Sequence, residues 1–145
     1  MNIKVAYFSR TKHSEKIAEA LAEALHVEAR NLAKNPTFTS VDLLFLVGGI
    51  YEGESSKEML EWVKKVKPIN VQRVALITNC VTMKYTQKAV AMALRDNYIE
   101  MQGEVVVQGR FLLAGMGHPN DDDIDQVITF AQTVIDKLTA ELPEA

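Results

Sequence analysis

The sequence lacks the features of several protein classes. It has one cysteine, Cys80, so no disulfide can form within the chain. No apolar run approaches the length that a helix needs to cross a bilayer. Residues 1–4 do not resemble the charged and apolar segments of a signal peptide. These absences predict a soluble cytoplasmic protein without membrane insertion.

The chain also lacks a large excess of either positive or negative charge. The chain has 16 basic and 19 acidic residues, for a formal net charge of −3, and no basic stripe is visible. This balance argues against nucleic acid as a partner. A length of 145 residues with 48% apolar residues suits one domain, residues 1–145, with a substantial core. No internal repeat indicates a second unit.

What the sequence does contain is an alternation of two apolar patterns. Strand-like runs are predicted at residues 3–8, 27–32, 41–47, 71–78 and 104–113. Segments with helical spacing lie between them, including one that Ser55 and Glu58 would cap and a last one that Asn120 would cap. Such alternation predicts an α/β three-layer sandwich, in which a five-stranded parallel sheet of order 2-1-3-4-5 has helices on both faces.

The first strand runs directly into a hydroxyl-rich segment. Residues 9–14 carry Ser9, Thr11 and Ser14, and a helical pattern follows at once. Hydroxyls beside the unpaired N–H groups of a first helical turn suit a phosphate, which the helix dipole also favours. The alternative is that these residues serve only as turn and cap residues. Three hydroxyls within six residues favour the phosphate interpretation.

This segment carries a resemblance to a family. Ser9-Arg10-Thr11-Lys12-His13-Ser14 resembles the phosphate-binding loop of flavodoxins, and so do Gly-Gly-Ile-Tyr-Glu-Gly at 48–53 and Gly-His-Pro-Asn-Asp-Asp-Asp at 117–123. The likeness covers nearly the whole chain and is of the short-chain type. Two departures stand out. The family usually has glycine where Lys12 stands, and residues 79–85 lack the glycine-rich, acidic character common in that loop.

The resemblance implies FMN as the cofactor. Side chains of Ser9, Thr11 and Ser14, with N–H groups of Arg10, Lys12 and His13, would bind its phosphate. Tyr51 would lie against the ring. A peptide within residues 51–54, near Gly53, would flip to hydrogen-bond the flavin N5 when the flavin is reduced. The N–H groups of Asn79 and Cys80 would meet the ring edge. Met83 and Tyr85 would cover the other face or belong to the third helix. The implied cofactor-binding residues are Ser9, Arg10, Thr11, Lys12, His13, Ser14, Ile50, Tyr51, Glu52, Gly53, Asn79, Cys80, Val81, Met83 and Tyr85.

Three functions remain open at this point. The first is an FMN protein that carries electrons between redox partner proteins, as a monomer or weak dimer, with no catalytic residue and no metal site. The second is an FMN-dependent reductase that uses NAD(P)H and a quinone. The third is a flavodoxin-like module that no longer binds FMN.

Overall fold

The computed structural model describes residues 1–109 and 117–142. Its strands are β1 (Ile3–Tyr7), β2 (Ala29–Asn31), β3 (Leu43–Tyr51), β4 (Glu54–Ser55), β5 (Arg73–Asn79) and β6 (Glu100–Val107). Its α-helices are α1 (His13–Leu25), α2 (Lys57–Lys65), α3 (Lys88–Asp96) and α4 (Asp121–Glu141). A single 3₁₀ turn, Leu32–Lys34, follows β2.

Five of these strands form one parallel sheet in the order β2-β1-β3-β5-β6. The two-residue β4 pairs antiparallel with the end of β3 and lies off this path. If β4 is left out and the five remaining strands are numbered along the chain, their order is the predicted 2-1-3-4-5. The predicted fold class is therefore confirmed. In this sheet the strand order reverses between β1 and β3: β2 is added on one side of β1, and β3 and the later strands are added on the other. Parallel α/β sheets open a crevice at such a point, at the carboxyl ends of their strands.

The core divides into two apolar layers, one on each face of the sheet. Val5, Phe45 and Ile77 pack on α1 and α4. The next residues along β1 and β3, Ala6 and Leu46, pack with α2 and α3 on the opposite face. Side chains alternate across a strand, so a continuous apolar run is the pattern of a strand covered on both faces. This explains why β3 carries no polar side chain before Tyr51.

Several predicted boundaries are wrong in an informative way. β3 does not stop at the glycine pair but continues to Tyr51, because β4 folds back and pairs with its last two residues. Ser55 is therefore in β4, and Ser56 caps α2 by accepting from the Met59 N–H at 3.1 Å. β2 is shorter than the predicted 27–32. A turn of left-handed backbone at His26 precedes it.

The last strand and the last two helices also differ in detail. β6 begins four residues before the predicted 104, and the predicted residues 110–113 lie outside the described chain. α3 ends at Asp96, so Tyr98, 88% exposed, is not part of its apolar face. The cap of α4 is confirmed, because Asn120 and Asp123 form a reciprocal capping box. Asp123 also bonds His118 Nδ1 at 2.6 Å.

Candidate functional site

A cleft of about 890 Å³ opens at the carboxyl ends of β1, β3 and β5. Its volume is in the range of small-molecule and cofactor sites. The lining residues come from the 9–14 loop, the β3–β4 hairpin, α2 and the loop after β5. They are Arg10, Thr11, Ile50, Tyr51, Glu52, Gly53, Glu54, Ser55, Lys57, Leu60, Asn79, Cys80, Val81, Thr82 and Tyr85.

Most of the residues predicted for the site meet at this cleft. Ten of the fifteen line it, and the five that do not are Ser9, Lys12, His13, Ser14 and Met83. Sequence reasoning missed Glu54, Ser55, Lys57, Leu60 and Thr82. Two of the missed residues, Glu54 and Ser55, form the short strand β4, which turns back beside β3. Gly53 after an apolar strand was the one available signal of that hairpin.

The 9–14 loop has the backbone of an anion site. Lys12, immediately before α1, has φ 68°, a left-handed conformation that glycine adopts more readily than lysine. The N–H groups of the first turn of α1 lie directly beyond it, and such groups have no intrahelical acceptor. Ser9 Oγ is buried and has no hydrogen-bond partner within the described residues. A buried hydroxyl normally has a partner, so a bound anion oxygen fits this place.

Ser14 is held more deeply than the rest of this loop. Its side chain is 1% exposed, and its hydroxyl oxygen accepts from Asn79 Nδ2 at 2.5 Å. The same amide nitrogen donates to the Gly48 carbonyl at 3.3 Å. The start of α1 is thus tied to the ends of β3 and β5. The remaining hydroxyl of the loop, Thr11 Oγ1, lies 2.8 Å from His13 Nδ1.

Tyr51 folds back over the sheet toward this loop. A Cβ placed on Gly49 would lie 2.9 Å from the Tyr51 hydroxyl, so only glycine leaves room for the ring. The guanidinium of Arg10 lies 4.4 Å from the centroid of the Tyr51 ring and 3.9 Å from the Glu58 carboxylate. Burial raises the pKa of Tyr51, although the backbone N–H and guanidinium of Arg10 act against it. Tyr51 is therefore a neutral aromatic wall of the cleft.

The β3–β4 hairpin forms the tip of the cleft. Its two central residues, Glu52 and Gly53, have φ 52° and φ 83°. A two-residue hairpin turn of type I′ needs positive φ at both central positions, which glycine adopts without cost and glutamate does not. The ring of Tyr85 passes 3.5 Å from where a Cβ on Gly53 would stand. The hairpin and the loop after β5 therefore touch.

The loop after β5 wraps around the thiol of Cys80. Burial raises the pKa of this thiol, but hydrogen bonds from the Thr82 side chain and from the backbone of Tyr85, Thr82 and Met83 outweigh it and lower the pKa. The Cys80 N–H, expected to meet a ring edge, donates to the Val107 carbonyl at 2.9 Å instead, because the β5–β6 ladder extends one residue further.

Met83 and Tyr85 are not part of the third helix, which begins at Lys88. Their side chains are 49% and 48% exposed. The alternative in which Met83 fills the core is therefore wrong. Tyr85 lines the cleft, whereas Met83 lies outside it.

A family comparison agrees with this geometry. A flavodoxin domain model matches residues 4–117, which include every element that lines the cleft. The chain belongs to the flavodoxin family. A relative in Methanocaldococcus jannaschii, described as an uncharacterized protein, is 28% identical over 138 residues, covering 86% of this chain and 91% of the relative. Flavodoxins generally bind FMN and transfer electrons to partner proteins.

Solved structures support the fold of this flavodoxin-family chain. A Streptococcus pneumoniae flavodoxin matches with a TM-score of 0.69 and 19% identity, covering 94% of this chain and 99% of the other. A short-chain flavodoxin associated with a bacterial microcompartment matches with a TM-score of 0.67, 13% identity and the same coverage. Rubredoxin:oxygen oxidoreductase of Desulfovibrio gigas matches with a TM-score of 0.71 and 18% identity, over 99% of this chain but 37% of that protein. Within the described residues, no helix is long and apolar enough to cross a membrane.

Proposed function

We propose that this chain is an FMN-binding electron carrier that passes electrons between redox partner proteins in the cytoplasm, as a monomer or weak dimer. The observation that carries the proposal is the 9–14 loop. It combines a buried hydroxyl without a protein partner, Ser9 Oγ, with left-handed backbone at Lys12 and the N-terminus of α1. All three lie at the crevice where the order of the sheet reverses, beside a cleft of cofactor size.

In this proposal the 9–14 loop holds the FMN phosphate and the cleft holds the ring. FMN would supply the one- and two-electron chemistry, and the protein would supply binding, shielding and charge. Tyr51 and Tyr85 offer the aromatic surface of the cleft. The carboxylates of Glu52 and Glu54, which also line it, disfavour additional negative charge. We therefore expect them to lower the potential of the fully reduced state.

The exposed surface beside the cleft favours a carrier. Tyr85, which lines the cleft, and Met83, in the same loop, are each about half exposed. A carrier needs such a surface for partner proteins, whereas a reductase needs a pocket that encloses a second small molecule over the ring. The loops of the described residues are short and add no such cover.

An FMN titration of the folded apo-protein tests the proposal. We expect saturable quenching of flavin fluorescence at a stoichiometry of one, with shifted visible bands. An apo-protein with native circular dichroism that leaves FMN fluorescence unchanged would contradict it and favour the module without FMN. Steady NAD(P)H oxidation by the loaded protein and a quinone, without any added protein, would favour the reductase.

A change at Lys12 separates backbone strain from phosphate binding. Lys12→Gly relieves a left-handed residue, so we expect the free energy of unfolding to rise by about 1 kcal/mol. It also removes a positive charge beside the phosphate, so we expect FMN affinity to fall about threefold. Urea unfolding of the apo-protein and FMN titration measure the two effects.

The matched control is His26→Gly at the other end of α1. His26 is also left-handed, with φ 58°. We expect a similar gain in stability from it and no change in FMN affinity. Equal FMN affinities of Lys12→Gly and the wild type would show that Lys12 gives the phosphate no electrostatic help.

A further inference from the structure

A chain of side-chain hydrogen bonds runs from the cleft to the edge strand β6. Ser55, which lines the cleft, bonds Gln87 Oε1 at 3.2 Å. Gln87 Nε2 donates to Thr78 Oγ1 at 3.1 Å, and Thr78 Oγ1 lies 2.5 Å from Glu104 Oε2. The Gln87 backbone N–H donates to the same carboxylate oxygen at 2.8 Å. One hydrogen-bonded line therefore joins β4, the N-cap residue of α3, β5 and β6.

The carboxylate sets the direction of this line. An ionised carboxylate only accepts hydrogen bonds, so Thr78 must give its single hydroxyl hydrogen to Glu104. The Thr78 oxygen must then accept from the amide nitrogen of Gln87. This orientation turns the amide oxygen of Gln87 toward Ser55, so the Ser55 hydroxyl donates to Gln87. Every donor along the line points toward Glu104.

Burial preserves the direction of these hydrogen bonds, because water does not reach the groups that form them. Thr78 and Gln87 are each 0% exposed, so no solvent competes for their polar groups. In a low-dielectric interior, hydrogen bonds aligned in one direction strengthen one another. At the cleft end of the line, the only hydrogen of the Ser55 hydroxyl is already committed. Toward any group in the cleft, Ser55 can act only as an acceptor.

We infer that Ser55 is a ligand-recognition residue, held as an acceptor by the Gln87–Thr78–Glu104 line, and that it selects a ligand group that carries an N–H or O–H donor. Gln87, Thr78 and Glu104 are positioning residues that act through Ser55. The inference rests on the proposed function, in which the ligand is FMN. The ring N–H and the ribityl hydroxyls of FMN are donors of the required kind.

Two variants test the two ends of the line by FMN titration. Ser55→Ala removes the acceptor, and we expect the Kd for FMN to rise about fivefold, as for one lost hydrogen bond. Thr78→Val leaves the cleft unchanged but removes the acceptor for Gln87 Nε2, which frees the amide to turn toward Ser55. We expect a similar rise in Kd. The conservative variants Ser55→Thr and Thr78→Ser keep the hydroxyls and should restore wild-type affinity.

A measurement without FMN tests the hydrogen bonds of the Gln87 side chain directly. In ¹⁵N-edited NMR spectra of the apo-protein, we expect the side-chain amide of Gln87 to exchange slowly with water. Thr78→Ser should preserve this slow exchange. Thr78→Val should speed it or shift the amide resonances while the backbone spectrum of the sheet stays native.

The outcomes separate this inference from the proposed function. Wild-type FMN affinity in Ser55→Ala would overturn the inference whether or not Thr78→Val binds weakly, since a loss confined to Thr78→Val would mean a structural role. If Thr78→Val does not fold, Ser55→Ala with its threonine rescue decides the result. If the wild type does not bind FMN, the proposed function fails together with the choice of ligand. A rapidly exchanging Gln87 amide in the wild type would then overturn the line on its own.

Discussion

Riboflavin is expected to bind about a thousandfold more weakly than FMN. The two ligands share the ring and the ribityl chain and differ only in the phosphate, so their comparison isolates the 9–14 loop. Hydrogen bonds to charged groups contribute about 1.5–3 kcal/mol each, and two of them amount to roughly the 4 kcal/mol that a thousandfold requires. The loop offers more donors than that, from Ser9, Thr11 and the first turn of α1.

Fluorescence titrations with both ligands under one buffer condition measure this ratio. Inorganic phosphate provides the control, because it should compete with FMN for the 9–14 loop and leave riboflavin binding unchanged or improved. Added salt should also narrow the difference between the two ligands, since part of it is electrostatic. A riboflavin Kd within about tenfold of that of FMN would show that the loop contributes little more than one hydrogen bond.

Truncation of Phe45 is expected to have the largest effect on stability. Its ring is 0% exposed at the centre of β3, where Phe45 pairs with Val5 of β1 and Ala75 of β5. Phe45→Ala removes buried apolar surface and leaves a cavity that strands fixed on both sides cannot close. We expect the free energy of unfolding to fall by about 3–5 kcal/mol. That loss is a large fraction of the stability of an ordinary domain, about 5–15 kcal/mol.

Urea unfolding followed by circular dichroism measures the loss, with Ile69→Ala as the matched control. Ile69 is also apolar but 81% exposed, so its truncation should change the unfolding free energy little. In the proposed function FMN binds only the folded chain, so saturating FMN should raise the midpoint of Phe45→Ala. A loss below about 1 kcal/mol in Phe45→Ala would mean that the two sheet faces repack around the gap.

The fold was predictable because its signals are local. The run 41–47 is apolar at every position except Asp42, which is the pattern of a strand covered on both faces, and a segment with helical spacing follows it. Asn120 and the aspartates after it indicated the start of α4 correctly. The end of β3 was misplaced because the residues that pair with it carry no strand pattern of their own. β3 reaches Tyr51 only because β4 folds back on it, and two residues are too few to leave a pattern.

The site was predictable in part for the same reason. The hydroxyls of the 9–14 loop stand next to one another in the chain, so their convergence needs no knowledge of the fold. Whether each faces a ligand depends on more distant residues. Ser14 is bonded to Asn79, which lies 65 residues away in the chain. Ser9 is the hydroxyl that the described residues leave without a partner.

By itself, the sequence determined the α/β class, the parallel sheet with its order, and the place of the 9–14 loop. Apolar periodicity and chain connectivity carry that information. Only the tertiary structure decided which polar groups are already paired. Gln87 and Glu104 have no recognisable pattern in the sequence, yet they lie on one hydrogen-bonded line with Ser55 at the cleft. Hydrogen bonds need atoms about 3 Å apart, and contacts between distant segments are set by packing and leave no periodic trace in the chain.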